Sequence, residues 1–103
     1  MSVLEEEFAW QLSTILINPD REYRAIEGRK FRYDFAIPSK RLLIEIQGGT
    51  WSASTMAHNS GSGIRRDCEK LNLAQLAGWR VLHFTADMVH DGSALAIVEK
   101  MIT

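Results

Sequence analysis

Residues 30–47, KFRYDFAIPSKRLLIEIQ, constrain the fold more tightly than any other stretch of the chain. Phe31, Tyr33, Phe35 and Ile37 recur at every second position, the period of a strand with one face on a core, which leaves Arg32 and Asp34 on the opposite face. Pro38-Ser39-Lys40 turns the chain, and residues 41–47 form a second apolar run that carries an acid, Glu45, in its middle and Gln47 at its end. A strand followed by a tight turn and another strand makes an antiparallel pair. The acid inside the second strand then needs an account, because an isolated Glu there is explained simply by a strand edge facing solvent.

The rest of the chain supplies the other elements. Leu4, Phe8, Leu12 and Ile15 fall at helical spacing behind Ser2, a good N-cap, so residues 3–16 are expected to be an amphipathic helix that Asn18-Pro19-Asp20 stops. Residues 22–26, EYRAI, pair with residues 30–37 as a hairpin through Glu27-Gly28. Ser52 to Gly63 reads as a polar loop, residues 63–77 as a second helix closed by Gly78, residues 79–84 as a fourth strand and residues 93–102 as a last helix. The expected class is α/β (α+β), in the order α-β-β-β-α-β-α, with a mixed four-stranded sheet flanked by helices. With 103 residues the chain is expected to be a single domain, residues 1–103, too short for a separate nucleotide-binding half.

Composition excludes little and locates less. Hydrophobic residues make up 46% and charged residues 24%, ordinary for a globular domain, and no stretch approaches the ~20 apolar residues of a membrane span. The acidic start at residues 5–7 is unlike a basic targeting segment, and the single cysteine, Cys68, cannot form an internal disulfide, so the expectation is a cytoplasmic protein. Cys68 shares the spacing of Ile64 and Leu71 and is expected to be buried; Trp10, Trp79 and Met88 are likewise assigned to packing. A net charge of −1 conceals clustering, with bases at Arg24, Arg32, Arg65 and Arg66 among others.

Register gives Glu45 a partner. If Ile37 pairs with Leu42 across the turn, three further steps put Asp34 opposite Glu45, with Cβ atoms about 5 Å apart, and Gln47 on the same face. Two carboxylates so placed repel, and burial worsens the conflict unless one takes a proton or a cation sits between them. A divalent ion with oxygen ligands, Mg²⁺ or Mn²⁺, resolves it. A slip of one residue in the hairpin would instead point the two acids apart.

The run FRYDFAIP, LLIEIQGGTW, the loop histidine, DCEKLN and GWRVLHFT resembles the PD-(D/E)XK nuclease superfamily, and within it the small phage and prophage endonucleases related to very-short-patch-repair-type nucleases. The likeness runs from Leu4 through the GWRV strand. It implies a restriction-endonuclease-like core in which Asp34, Glu45 and the Ile46 carbonyl hold Mg²⁺ or Mn²⁺. Gln47 stands where the family's lysine is usual, and Lys70 on the following helix is the candidate replacement, with an i, i+3 pairing to Asp67 as its other reading. From the N-terminal helix the resemblance favours Glu5 as a further acid. His58 would protonate a leaving group or touch a phosphate, or be merely solvated; Trp51 would stack on a base, or pack. DNA is the implied partner, with phosphates held by Arg24, Arg32, Arg65 and Arg66, in a bacterial cell or phage-infected bacterium, and a homodimer is compatible.

The activity this implies is metal-dependent hydrolysis of DNA phosphodiesters. No extra element for sequence readout fits in the chain, so selectivity for junctions, flaps or ends, in phage recombination or repair, is expected. The rival from another class is a DNA-binding module of the same fold that has lost turnover, motivated by Gln47. A ββα-metal nuclease using His58 and Asn72 fits less well, and His83 and His90 lack the spacing of a zinc pair.

Overall fold

The computed structural model describes residues 2–47 and 62–103. Helix α1, Val3–Thr14, begins where the Ser2 hydroxyl accepts the Glu5 N–H at 3.1 Å, and Glu5 and Glu6 place negative charge at its positive end. It stops two residues short of the expected boundary because Leu16 turns left-handed, with φ of 63°, and leads the chain away. Strands β1, Asp20–Tyr23, β2, Tyr33–Ile37, and β3, Leu42–Gln47, follow, with a single 3-10 turn at Pro38–Lys40. Helix α2, Ser62–Leu76, leads to β4, Arg80–Thr85, then to a short α3, Ala86–His90, and α4, Ser93–Ile102. Spacing does not foretell α3: five residues are too few to show a period, and only Thr85, whose hydroxyl accepts the Met88 N–H, marks its start.

The sheet is mixed, in the order β1-β2-β3-β4, with antiparallel pairs β1β2 and β2β3 and a parallel pair β3β4 that α2 crosses over. Helices flank it, as the sequence pattern implies. Ile37 pairs with Leu42, so the turn sets the expected register. Arg41 closes that turn in the left-handed region, with φ of 51°, while its guanidinium stacks 4.2 Å above the Trp79 ring and donates to the Ala77 carbonyl. Those contacts tie the turn to the end of α2.

Each face of the sheet buries its own cluster. Phe8 and Leu12 of α1, Val89 of α3 and Ala94 and Val98 of α4 pack on Phe35, Ile37, Leu42, Ile44, Ile46 and Phe84. Phe8 is the centre, its ring 5.6 Å from Phe35 and 5.8 Å from Phe84. On the other face Ala74 of α2 packs with Phe31, Tyr33, Ala36, Leu43 and Trp79.

Four expectations fail here. Phe31 and Tyr33 do not share a face with Phe35 and Ile37: they belong to the α2 side. The alternation breaks at Asp34, opposite Glu22, whose φ of 48° departs from extended backbone. The first strand also ends at Tyr23, leaving Arg24 exposed beyond it rather than inside a longer hairpin. Helix α2 is rotated so that Lys70, Leu73 and Ala74 meet the sheet, which leaves Cys68 exposed and Ile64 52% exposed. Finally, Trp79 is buried as expected, but Trp10 and Met88 are exposed on their helices. No helix among the described residues is long and apolar enough to cross a membrane.

Candidate active site

Strand β3 sends Leu42, Ile44 and Ile46 into the α1 layer, so alternation directs Leu43, Glu45 and Gln47 toward α2. There they meet a cavity of about 290 Å³ whose walls include Asp34, Glu45, Ile46, Gln47, Lys70 and His83. Asp34 enters from β2. The last recorded β2β3 pair is Phe35 with Ile44, and beyond it the Asp34 Oδ2 accepts the Ile46 N–H at 2.8 Å. A side-chain carboxylate thus takes over a backbone bonding position at the end of the ladder and is fixed beside Glu45.

Glu45 is 9% exposed, a buried carboxylate in the centre of a sheet. Lys70 forms an ion pair with its Oε1. The ammonium also lies 4.7 Å from the centroid of the Tyr33 ring, whose hydroxyl donates to the Lys70 carbonyl at 2.7 Å. Burial pushes the Glu45 carboxyl up to about 7, with Asp34 adding to the rise and Lys70 opposing it. The same burial, with the Glu45 charge, lifts the Tyr33 phenol to about 12. Lys70 therefore pairs with Glu45, and the alternative pairing with Asp67 is not the one formed.

A second group of acids meets Asp34 from the other side. Carboxylate oxygens of Glu5, Glu22 and Asp34 all lie within 4.8 Å of one another. Partial burial raises the Glu5 carboxyl, and the neighbouring Asp34 and Glu22 charges raise it further, against Arg21 and the Ser2 hydroxyl. Asp34 thus belongs both to this triad and to the cavity of Glu45 and Lys70.

Among the expected site residues, Asp34, Glu45, Ile46, Gln47 and Lys70 line one cavity, and Glu5 reaches Asp34 from α1. Arg32 and Arg66 line an adjoining cavity of about 490 Å³ together with Lys30, sharing Asp67 and Lys70 with the first. Arg66 lies 5.9 Å from the Phe31 ring centroid. Arg65 is on a different side of α2, in a separate hollow beside Cys68 and Asn72, and Arg24 is exposed after β1. Trp51 and His58 lie outside the described residues. Sequence reasoning gave Glu22 and Lys30 no place in this site and weighed His83 only as a zinc ligand. The hairpin register would have found Glu22, since Arg21 pairs with Phe35 and Tyr23 with Tyr33, which sets Glu22 against Asp34; the parallel register would have found His83, which pairs with Glu45.

The burial of Glu45 has a measurable consequence. A carboxyl held near 7 in the folded chain and near 4.5 unfolded takes up a proton on folding, so its contribution to stability is full below about pH 4.5 and is lost as pH rises toward 7. Gln mimics the protonated acid. Glu45→Gln is therefore expected to melt with the parent near pH 4.5 and to be more stable above pH 7, by up to about 3 kcal/mol for a shift of this size. Parallel pH–melting curves for the two proteins would contradict the assigned burial cost.

No protein-family model and no curated protein sequence matches the chain. Among solved structures, the catalytic domain of the homing endonuclease I-Bth0305I is similar to it, with a TM-score of 0.71 and 20% sequence identity over 98% of this chain and 94% of that one. At that identity the likeness is one of fold: the mixed sheet with its flanking helices is a nuclease-like fold shared along nearly the whole of both chains.

Proposed function

We propose that this chain is a metal-dependent DNA endonuclease of the PD-(D/E)XK superfamily, in the very-short-patch-repair-type group, acting as one domain on junctions, flaps or ends. The observation that carries the reading is the buried Glu45, fixed beside Asp34 and neutralised by Lys70, in an open cavity of a nuclease-like fold. A structural ion pair would be placed more cheaply at the surface, where charges stay hydrated. Strongly perturbed acids converging in a cleft mark functional sites more often than structural ones.

The donor set fits a hard divalent ion. Asp34 with Glu5 and Glu22 offers three carboxylates, and Glu45 with the Ile46 carbonyl offers oxygen donors on the β3 side; oxygen ligands with room for water suit Mg²⁺ or Mn²⁺. Bound there, the ion would supply Lewis-acid activation of the phosphate and a water of lowered pKa. The chain's own part is positioning and charge. Lys70, paired with Glu45 in the cavity, would stabilise negative charge developing on the reacting phosphate, Gln47 would offer an amide to orient water or phosphate, and Arg32 and Arg66 would hold flanking phosphates without reading sequence.

The second reading, a DNA-binding module without turnover, is favoured by Gln47 in the family's lysine position. Lys70 weighs against it, since a cation is present in the cavity by another route. Incubation with junction, flap and linear duplex DNA of one sequence tests substrate choice: faster cutting of the branched forms is expected, and equal rates on all three would remove the structure-selective part. Removing both Arg32 and Arg66 should weaken DNA binding alike for all sequences and flatten the dependence of log Kd on log salt by about two contacts. An unaltered salt slope would return both arginines to a solvated surface. A cytoplasmic setting in a bacterium or phage-infected cell, a role in phage recombination or repair, and a homodimer accompany this reading.

A further inference from the structure

His83 is a titratable group in the cavity to which the mechanism above gives no task. It stands on β4 directly across the parallel ladder from Glu45 and helps line the cavity that holds Asp34 and Lys70. Its Nδ1 lies 3.1 Å from Nε2 of Gln47. An amide nitrogen can only donate, so Nδ1 accepts and the ring's own proton sits on Nε2. In this arrangement the Gln47 amide favours one imidazole tautomer. Because Nδ1 is consumed by that bond, Nε2–H is the ring's remaining polar group, and no described residue accepts it.

We infer that His83, held in the Nε2–H tautomer by Gln47, is a neutral hydrogen-bond donor to a non-bridging oxygen of the bound phosphodiester, with Gln47 as its positioning residue. The inference rests on the nuclease reading and adds to it a substrate contact on β4. Partial burial and the Lys70 charge favour the neutral ring, outweighing Asp67 and Asp34, which favour the cation. A neutral donor suits this place. It adds no further positive charge beside Lys70, yet supplies a directed N–H to an oxygen that gains charge in the reaction.

The test has a spectroscopic arm and a kinetic arm. In ¹⁵N-labelled protein at neutral pH, long-range ¹H–¹⁵N correlations should give a neutral His83 ring protonated at Nε2. Addition of a short DNA duplex in chelator should shift that nitrogen. Gln47→Glu should reverse the tautomer, since a carboxylate accepts from Nδ1–H. In cleavage assays His83→Ala should lower kcat by ~10- to 100-fold, the range for a hydrogen bond to a charged group, with KM little changed, and His83→Gln, which returns an N–H near the Nε2 position, should recover part of it. An Nδ1–H or doubly protonated ring, no response to DNA, or a His83→Ala protein as fast as the parent would each overturn the assignment. Parent protein that cuts no DNA would count against the nuclease reading alone, because the ring's response to bound duplex still decides the contact.

Discussion

Asp34→Asn is expected to lower DNA cleavage by on the order of 10³-fold or more, the scale of losing a preorganised charge at a metal-assisted reaction centre, while leaving the protein folded. Asp34 is the one acid common to the Glu5–Glu22 triad and the Glu45 cavity, so its charge serves both donor sets. Asn keeps the carbonyl oxygen needed to accept the Ile46 N–H, and the end of the β2β3 ladder should persist. Removing the charge also relieves Glu5 and Glu45, both of which Asp34 pushes toward the protonated form. Thermal stability in metal-free buffer should therefore be unchanged or higher. Full activity in this variant would remove the site from the account.

Lys70→Ala carries the second large effect, a fall of ~10²-fold in the single-turnover rate, with substrate affinity changed far less. The lysine is held by two features of the fold: the Glu45 carboxylate and the face of the Tyr33 ring. Loss of the ammonium removes the influence that lowers the Glu45 carboxyl, so that group should titrate above its present value of about 7. Adding Gln47→Lys in that background should recover part of the rate, since position 47 borders the same cavity from β3. If Lys70→Ala cut DNA as fast as the parent, the ammonium would serve only to neutralise Glu45.

The meeting of Asp34 and Glu45 was legible because turn length alone fixes it: Pro38-Ser39-Lys40 leaves Ile37 opposite Leu42, and a strand's two-residue period carries the register inward. Helices α1, α2 and α4 and the fourth strand were legible from spacing for the same local reason, and the short α3 was not. What alternation could not reveal is the change of face between Phe35 and Tyr33. It depends on a left-handed Glu22, a conformation that no glycine or asparagine announces. That kink is also what brings Glu22 toward Asp34 and Glu5. The rotation of α2 was hidden for a different reason: its apolar residues are few, so Ile64, Cys68 and Leu71 defined one stripe on paper while Lys70, Leu73 and Ala74 face the sheet. His83 was judged only as a zinc ligand, and its place became meaningful once β4 was set parallel to β3, opposite Glu45.

The central claim is that the Asp34–Glu45–Lys70 cavity hydrolyses DNA with a divalent ion. It is tested most directly by following phosphodiester cleavage of a labelled branched duplex by the purified protein with Mg²⁺, with Mn²⁺ and with chelator, alongside identically purified Asp34→Asn to exclude a contaminating nuclease. The account predicts products with either metal, none with chelator, and none above background from the variant. Binding without cleavage under all conditions, or cleavage that persists in chelator or in Asp34→Asn, would contradict it.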